Sequence, residues 1–297
     1  MSATRAAVVG HVEWTRLAGV DRVPLAGEIS HASVVWEGPA GGGAVAAVQL
    51  AKLTGDCTFF TALGDDEAGA RSLAELRRLG VSVQAAIRAA PTREAVSLVD
   101  ARGERTTLTL GPRLQPSGDD ELAWSEIGAC DVAYFTAGDA GALQKARRAP
   151  FLVATSRELA AVLEAGVRVD ALVGSAHDPA ERCDGPAAAL VVMTDGVRGG
   201  SFCMPAGERG SYVAVAPPGP VVDTYGVGDS FAAAVSFALA SFAPPPAALG
   251  LAARCGAACV ANRGPFDGQL DRTQVLGSSH AVASPSLLSA PGRPLWP

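Results

Sequence analysis

The chain has 297 residues, 48% of them hydrophobic and 18% charged, with a formal net charge of -6. That composition supplies a large core and excludes wholesale disorder; the acidic balance, without a long Lys/Arg run, excludes nucleic acid or an anionic membrane as the main partner. The N-terminal MSATRAAVVG lacks the apolar region of a signal peptide, and the most apolar helical stretch, 231–242, is too short to span a bilayer, so a soluble cytoplasmic protein is expected.

In chain order, AAVVG (6–10) reads as a short buried strand closed by a glycine. Residues 11–38 carry turn signals such as VPLAGE (23–28). PAGGGAVAAVQLAKLTG (39–55) sets a glycine triplet ahead of an Ala-rich helix, CTFFTALG (57–64) reads as a strand, and DDEAGARSLAELRRLG (65–80) as an amphipathic helix closed by glycine. Two β-α steps in a row predict a parallel, doubly wound sheet. EAVSLVDARGERTTLTL (94–110) instead alternates around a polar turn, the pattern of a β-hairpin. With part of 11–38 it is expected to form a small β lid.

The βα rhythm then returns with apolar runs at 131–138, 150–156, 170–176 and 188–196, and SYVAVAP (211–217) reads as a further strand. The carboxyl ends of such strands are where open α/β sheets bind ligands. A helix starting near Asp229 or Ser230 and a second Ala-rich helix at 247–261 follow. The Ser/Pro-rich residues 277–297 lack periodicity and are expected to form a poorly ordered tail after a single domain over 1–276. The six cysteines form no C-x-x-C pair and read as small buried hydrophobes in a reducing compartment.

One constellation points to chemistry. Gly226-Val227-Gly228 precedes a helix that opens with Asp229. The first amides of a helix lack internal partners and carry the positive end of the helix dipole. Glycines let a ligand approach the backbone, so the segment can cradle an anion. Phosphoryl transfer needs such a cradle and a base for the attacking hydroxyl. Taken alone, an Asp in a first helical turn is also ordinary dipole chemistry.

DTYGVGDSF (223–231) resembles the D-T-x-G-A-G-D signature of the PfkB carbohydrate kinase family, whose fold is ribokinase-like. VDRVPLAGE (20–28) is similar to the family's D-x-x-P-x-x-G-E segment, GGGAVAAVQLAKLTG (41–55) to its di-glycine motif and helix, and ALGDDEAGARSLAELRRLGV (62–81) to its G-x-D-x-x-G run. VDARGERT (99–106) resembles the lid hairpin and VVMTDGVRGG (191–200) the nucleotide-side strand. The resemblance spans about residues 6–265 and implies a doubly wound, mostly parallel sheet flanked by helices, with a β lid drawn from parts of 11–38 and 91–111. It implies an ATP-dependent, Mg2+-assisted kinase acting on a hydroxyl of a sugar or similar polyol. Asp229 would be the base, and Gly226, Val227 and Gly228 the anion hole. Gly41, Gly42 and Gly43, with Glu13 and Asp229, would meet the acceptor. Ser175, Thr194, Asp195, Gly196 and Gly199 would lie by the nucleotide, Asp178 by magnesium, and Asp223 and Tyr225 by a monovalent cation such as K+. A homodimer through the lid is a further implication.

Three departures stand out. Val45 occupies a position where the family often has Asn. Glu13, or Thr15 in the aligned site, stands where an Asp commonly binds sugar hydroxyls. Ser175-Ala176-His177-Asp178 replaces the family's N-x-x-E. The first two place the acceptor outside the usual ribose-like mode; the third touches the magnesium side. A nucleoside or vitamin-like alcohol as acceptor, or a catalytically silent ligand-binding protein, are the competing readings. His11 is open between a ligand contact and a loop histidine with local hydrogen bonds. Trp14 and Trp36 are expected to pack in the lid, and Arg93 and Arg105 to lie on its solvated face.

Overall fold

The structure is a computed structural model describing residues 4–183, 188–205 and 207–277; most of the expected tail lies outside the described residues. The chain runs β1 (Ala6–Val9), β2 (Glu13–Gly19), β3 (Ser33–Ala40), α1 (Gly42–Thr54), β4 (Cys57–Gly64), α2 (Glu67–Arg78) and β5 (Ser82–Arg88). It continues through β6 (Glu94–Val99), β7 (Arg105–Leu110), β8 (Val132–Phe135), α3 (Ala140–Ala146), β9 (Phe151–Thr155) and α4 (Leu159–Ala165). Then come β10 (Val169–Ser175), β11 (Ala188–Thr194), β12 (Gly200–Cys203), β13 (Arg209–Tyr212), α5 (Val227–Ala240), α6 (Pro245–Cys259) and α7 (Arg272–Gly277).

Nine strands form the main sheet, in the order β13-β12-β11-β10-β9-β8-β1-β4-β5. The strands from β5 to β11 pair in parallel, and β12 and β13 add an antiparallel edge. β1 and β4 are buried along their whole length, which explains their unbroken apolar runs: a parallel sheet covered on both faces leaves no solvent side. From β1 the chain winds outward to β4 and β5; from β8 it winds the other way. The strand order therefore reverses between β1 and β8, where such sheets open a crevice.

The second sheet has the order β3-β2-β6-β7. β6 alternates strictly between buried and partly buried residues, as the sequence pattern requires, whereas every residue of β7 is exposed on the sheet's edge. This sheet stands where the sequence puts the β lid. Its hairpin turn is closed by Asp100, whose Oδ1 accepts from the Arg102 and Glu104 amides at 2.8 and 3.1 Å.

The strand expected over 211–217 is corrected: β13 stops at Tyr212. Continuing it would require pairing with Gly199, which is turned away at φ +87°, and Pro217 and Pro218 lie just ahead. β5 and β12 have no counterpart in the sequence reading.

Four of the helices begin in two contrasting ways. α2 and α3 carry side-chain caps: Asp66 accepts from the Gly69 amide and Asp139 from the Ala142 amide, both at 2.7 Å. α1 and α5 begin at Gly41 and Gly226, with φ of +84° and +78°, and neither has a side-chain cap. α1 packs on α5, and α5 on α6, and small buried residues such as Ala44, Ala47, Ala233 and Ala252 belong to the same core. Among the described residues no helix is long and apolar enough to cross a membrane.

Candidate active site

Four pieces of chain converge at the crevice: the β1–β2 connection, the mouth of α1, the end of β8 and the mouth of α5. Their closeness is measured by what side chains would do to the glycines. A Cβ at Gly42 would stand 2.7 Å from Thr136 Oγ1 and 2.9 Å from Asp229 Oδ1. One at Gly41 would stand 3.0 Å from His11 Nε2 and 3.2 Å from Glu13 Cγ, and one at Gly43 would strike the His11 carbonyl at 2.7 Å. Glycines at 41–43 thus let α1 abut the groups that face the crevice. His11, Glu13, Gly41, Gly42, Thr136 and Asp229 share one wall.

At the mouth of α5, the first helical bond runs from the Ser230 amide to the Gly226 carbonyl at 2.9 Å. The preceding amides, of Val227, Gly228 and Asp229, come before that ladder. A Cβ at Gly228 would meet nothing within 4 Å, so the protein's own packing does not require glycine there. Gly226 is different: a Cβ would meet Val45 Cγ1 and Pro265 Cβ, each at 2.9 Å. Val45 therefore packs behind the helix mouth, fully buried.

Asp229 is half-buried and sits deep in the wall. Burial raises its carboxyl above the ordinary value; Arg105 and Arg157 pull it back and Glu181 adds to the rise. Glu13 is also raised by burial, against the pull of Arg93, Arg105 and Arg113. The His11 ring is pushed down to about 3 by burial and by Arg113, Arg93 and Arg157, so it is a neutral imidazole at physiological pH. Its Nδ1 is buried without a hydrogen-bond partner.

Asp223 and Tyr225 form a brace. Asp223 Oδ1 accepts from the Tyr225 amide at 2.9 Å and Oδ2 from the Gly264 amide at 2.8 Å. Tyr225 reaches forward, its hydroxyl accepting from the Gly41 amide at 3.4 Å and lying 3.5 Å from Thr15 Oγ1. Both Asp223 oxygens thus accept from backbone amides, one each, and each keeps a further lone pair.

The remaining candidates sit at the ends of β10 and β11, where Ser175 and Thr194 are paired neighbours. Thr194 Oγ1 donates to the Gly174 carbonyl at 3.2 Å. Asp195 is paired with Arg198 at 2.6 Å and His177 at 2.9 Å. Gly196 and Gly199 take φ of +55° and +87°, and a Cβ at Gly199 would collide with the Tyr212 carbonyl at 2.0 Å. Asp178 caps the single turn over 179–181 through the Ala180 amide at 2.9 Å and pairs with Arg157. Glu181, which the sequence reading passed over, is more enclosed. It accepts from the Ser175 amide and from Arg157, both at 2.8 Å, and its charge reaches Asp229. A second acid three residues beyond Asp178 was its only trace in the sequence. Thr136, at the end of β8, carried no motif at all.

Among the described residues no group of three or more His, Cys, Asp and Glu side chains could hold a metal ion. The acids available for magnesium are Asp178 and Glu181. Magnesium commonly takes one or two carboxylates, keeps several waters and binds the substrate's phosphates, so this pair fits it.

Comparisons with known proteins bear on the same architecture. The family described as pfkB family carbohydrate kinase matches residues 3–157 and 136–271. A relative from Halopiger xanaduensis, named ATP-dependent ribose-1-phosphate kinase, is 29% identical over 287 residues, covering 86% of this chain and 91% of the relative. Arabidopsis thaliana ribokinase, solved with ribose and ATP, is similar with a TM-score of 0.70 at 19% identity, over 93% of this chain and 98% of that one. Adenosine kinase from Sinorhizobium meliloti gives 0.73 at 19% identity, over 94% and 100% of the two chains. At these identities the solved structures establish a shared fold.

Proposed function

The chain belongs to the pfkB family of carbohydrate kinases, and from that premise we propose that it moves the terminal phosphoryl group of ATP onto a hydroxyl of a sugar or sugar-like acceptor, with Asp229 as the base. The observation that carries this reading is the position of the Asp229 carboxylate at the uncapped mouth of α5, against Gly42 and Thr136. Its raised proton affinity suits a group that must take a proton.

The acceptor lies between Glu13, the Gly41–Gly43 backbone and Asp229. Its O–H proton passes to Asp229 as its oxygen bonds to the terminal phosphorus. The bond from that phosphorus to the bridging oxygen breaks, and ADP leaves with the electron pair. The amides of Gly226, Val227 and Gly228 face the transferred group, where charge is spread over three oxygens. ATP enters from the side of Ser175, Thr194, Asp195, Gly196 and Gly199. Asp178 and Glu181 would hold magnesium, which supplies charge neutralisation to the phosphates when bound. Asp223 and Tyr225 are the positions proposed for a monovalent cation, with Asp223 also bracing the Tyr225 and Gly264 amides.

The Halopiger relative's name makes ribose 1-phosphate the first acceptor to try. Leu108 and Leu110, exposed on the edge strand β7, support a homodimer through the second sheet; a particle mass of one chain by light scattering would remove that part. Cys57, Cys130, Cys203, Cys255 and Cys259 stand outside disulfides, which suits the cytoplasm. The test is ATP consumption across sugars, sugar phosphates, nucleosides and vitamin alcohols, with Asp229→Asn alongside. Acceptor-dependent ADP release that disappears in the variant is expected. Equal turnover by the variant removes Asp229 as base. Ligand-induced stabilisation without ADP release favours a silent binder.

A further inference from the structure

After α6 the chain turns back over α1 as a strap, residues 264–270. The strap starts at the second sheet: a Cβ at Gly264 would stand 2.6 Å from Trp36 Cδ1, and the Trp36 and Phe266 rings meet edge to face at 5.9 Å. It is pressed against α6 at Gly268, where a Cβ would strike the Ala258 carbonyl at 2.5 Å. Val45, Gln49 and Lys52 recur at helical spacing, so they line one face of α1. All of them hold the strap. Lys52 Nζ donates to the Phe266 carbonyl, Gln49 Nε2 to the Leu270 carbonyl at 2.8 Å, and the Val45 carbonyl accepts from Gln269 Nε2 at 2.9 Å.

Gln269 does more than fasten the strap. Its Nε2 also donates to Ser230 Oγ, at 3.1 Å, and so reaches through to α5. Ser230 is fully buried and directly follows Asp229. Its amide opens the α5 ladder by donating to the Gly226 carbonyl at 2.9 Å. Gly226 in turn is backed by Val45 Cγ1. The circuit from Val45 through Gly226, Ser230 and Gln269 back to Val45 therefore closes around the residue that carries the base. The carbonyl partners fix both glutamine amides with nitrogen inward. Gln49 Oε1 and Gln269 Oε1 are buried with no hydrogen-bond partner among the described residues. A buried acceptor left unpaired costs about 1–3 kcal/mol, so an apolar side chain would suit a strap fastened for stability alone.

We infer that Gln269 is a positioning residue for phosphoryl transfer: through the Val45 carbonyl and Ser230 Oγ it sets the mouth of α1, where the acceptor lies, against the mouth of α5, where Asp229 and the anion hole lie. The inference rests on the kinase reading. Gln269 touches neither substrate nor Asp229; it acts through Ser230. A displacement of about 1 Å between an attacking group and its base can cost about 10²-fold in rate, and the two helix mouths carry those groups separately. Val45 serves both ends of the circuit, its carbonyl holding Gln269 and its side chain backing Gly226. That gives the valine at this position a task of its own.

The test uses the full chain with ATP and each of ribose 1-phosphate, ribose and adenosine, in wild type, Gln269→Met, Ser230→Ala, their double variant and Gln49→Met, well below each melting temperature. On the acceptor that the wild type turns over, Gln269→Met should lower kcat about tenfold or more and leave both KM values within about twofold. Ser230→Ala should lower kcat about threefold, and the double variant should fall no further than Gln269→Met alone, because both changes remove the same link. Gln49→Met takes away a strap contact of the same chemistry that does not reach α5; it should lower the melting temperature and leave kcat in place. Equal kcat losses in the two methionine variants, or an unmoved kcat in Gln269→Met, overturn the inference and leave the kinase reading standing. Should Gln269→Met not fold, Ser230→Ala decides: a lower kcat at unmoved KM upholds the link, and an unmoved kcat overturns it. Absence of ADP release by the wild type counts against the kinase reading, and hydrogen exchange then decides the link. A Ser230 amide that exchanges faster in Gln269→Met but not in Gln49→Met upholds it; equal exchange overturns it.

Discussion

The two ends of the crevice treat their carboxylates in opposite ways. At the acceptor end, Glu13, Asp223 and Asp229 are all raised, with burial the largest cause in each. At the nucleotide end, Asp178 and Asp195 are lowered, the first chiefly by the Ala180 amide with help from Arg157, the second by Arg198. One end holds acids where ionisation is costly; the other holds acids that arginines and amides have already satisfied. A base has to gain from accepting a proton, whereas groups arranged around a charged cosubstrate have to keep their charge. The difference suits the proposed reaction, with a base at one end and a charged cosubstrate at the other.

The sharpest way to break this contrast is Asp229→Asn. Removing the base should lower kcat by about 10²–10⁴-fold. It should also raise the melting temperature at neutral pH, because a carboxyl whose folded pKa is raised stabilises the fold when protonated and opposes it once ionised. A variant that loses activity and stability together would place Asp229 among structural acids. The same sign governs pH. The stabilising contribution of the acceptor-end acids is present at low pH and fades as pH rises through their folded pKa values. That of Asp178 and Asp195 is present above their ordinary value and fades as pH falls. Activity follows the ionised form of Asp229, so the acid limb of kcat/KM should lie above the ordinary aspartate value of 3.8. A profile flat down to that value would contradict the raised base.

Next in size is a pair of glycine variants. Gly228→Ala adds a methyl group where the protein has open space, so it should leave the melting temperature nearly unchanged while cutting kcat about tenfold or more by crowding the transferred group. Gly226→Ala forces a side chain into φ +78° against Val45 and Pro265 and should destabilise by about 1–2 kcal/mol or more, read by denaturant unfolding. Identical behaviour of the two would erase the distinction between a ligand-facing and a packing glycine. Arg157→Ala comes third: freeing Asp178 and Glu181 should tighten the magnesium requirement by a few-fold, read as a lower half-saturating Mg2+ concentration. The smallest effect belongs to Arg198→Ala, whose exposed pairing with Asp195 should move the KM for ATP by less than about threefold and the melting temperature hardly at all.

Residues that act through their immediate neighbours were legible in the sequence. GVGD announced a helix mouth, DARGE announced a hairpin turn, and the βα rhythm announced the doubly wound sheet, because each is written in a handful of consecutive positions. β12 was not, since GSFC is four residues long and takes its strand form from β11. β5 is an edge strand of mixed burial and lacks a clean period. Glu181 was hidden because the motif spacing settled on Asp178, while only the fold brings Glu181 near enough for its charge to raise Asp229. Thr136 and Arg113 join the crevice from more than ninety residues away from one or another of their partners, a relation no local pattern carries. Arg105 was visible as a charge, but that it lies over the Tyr225 ring depends on Asp100 fixing the turn before it.

α2 and α3 finish their first turns with their own aspartates, whereas α1 and α5 leave theirs bare. A glycine in place of a capping side chain costs a helix only a few tenths of a kcal/mol, so the two helices that meet at the crevice fold with their first amides unpaired by any side chain. In the proposed reaction, the acceptor and the phosphoryl group would bring the oxygens those turns lack. In hydrogen exchange, the opening amides of α1 and α5 should be quick in the free protein and slow once both substrates are in place, while those of α2 and α3 stay as they were. On that reading, the substrates, for the duration of a turnover, would be the last residues of this protein's secondary structure.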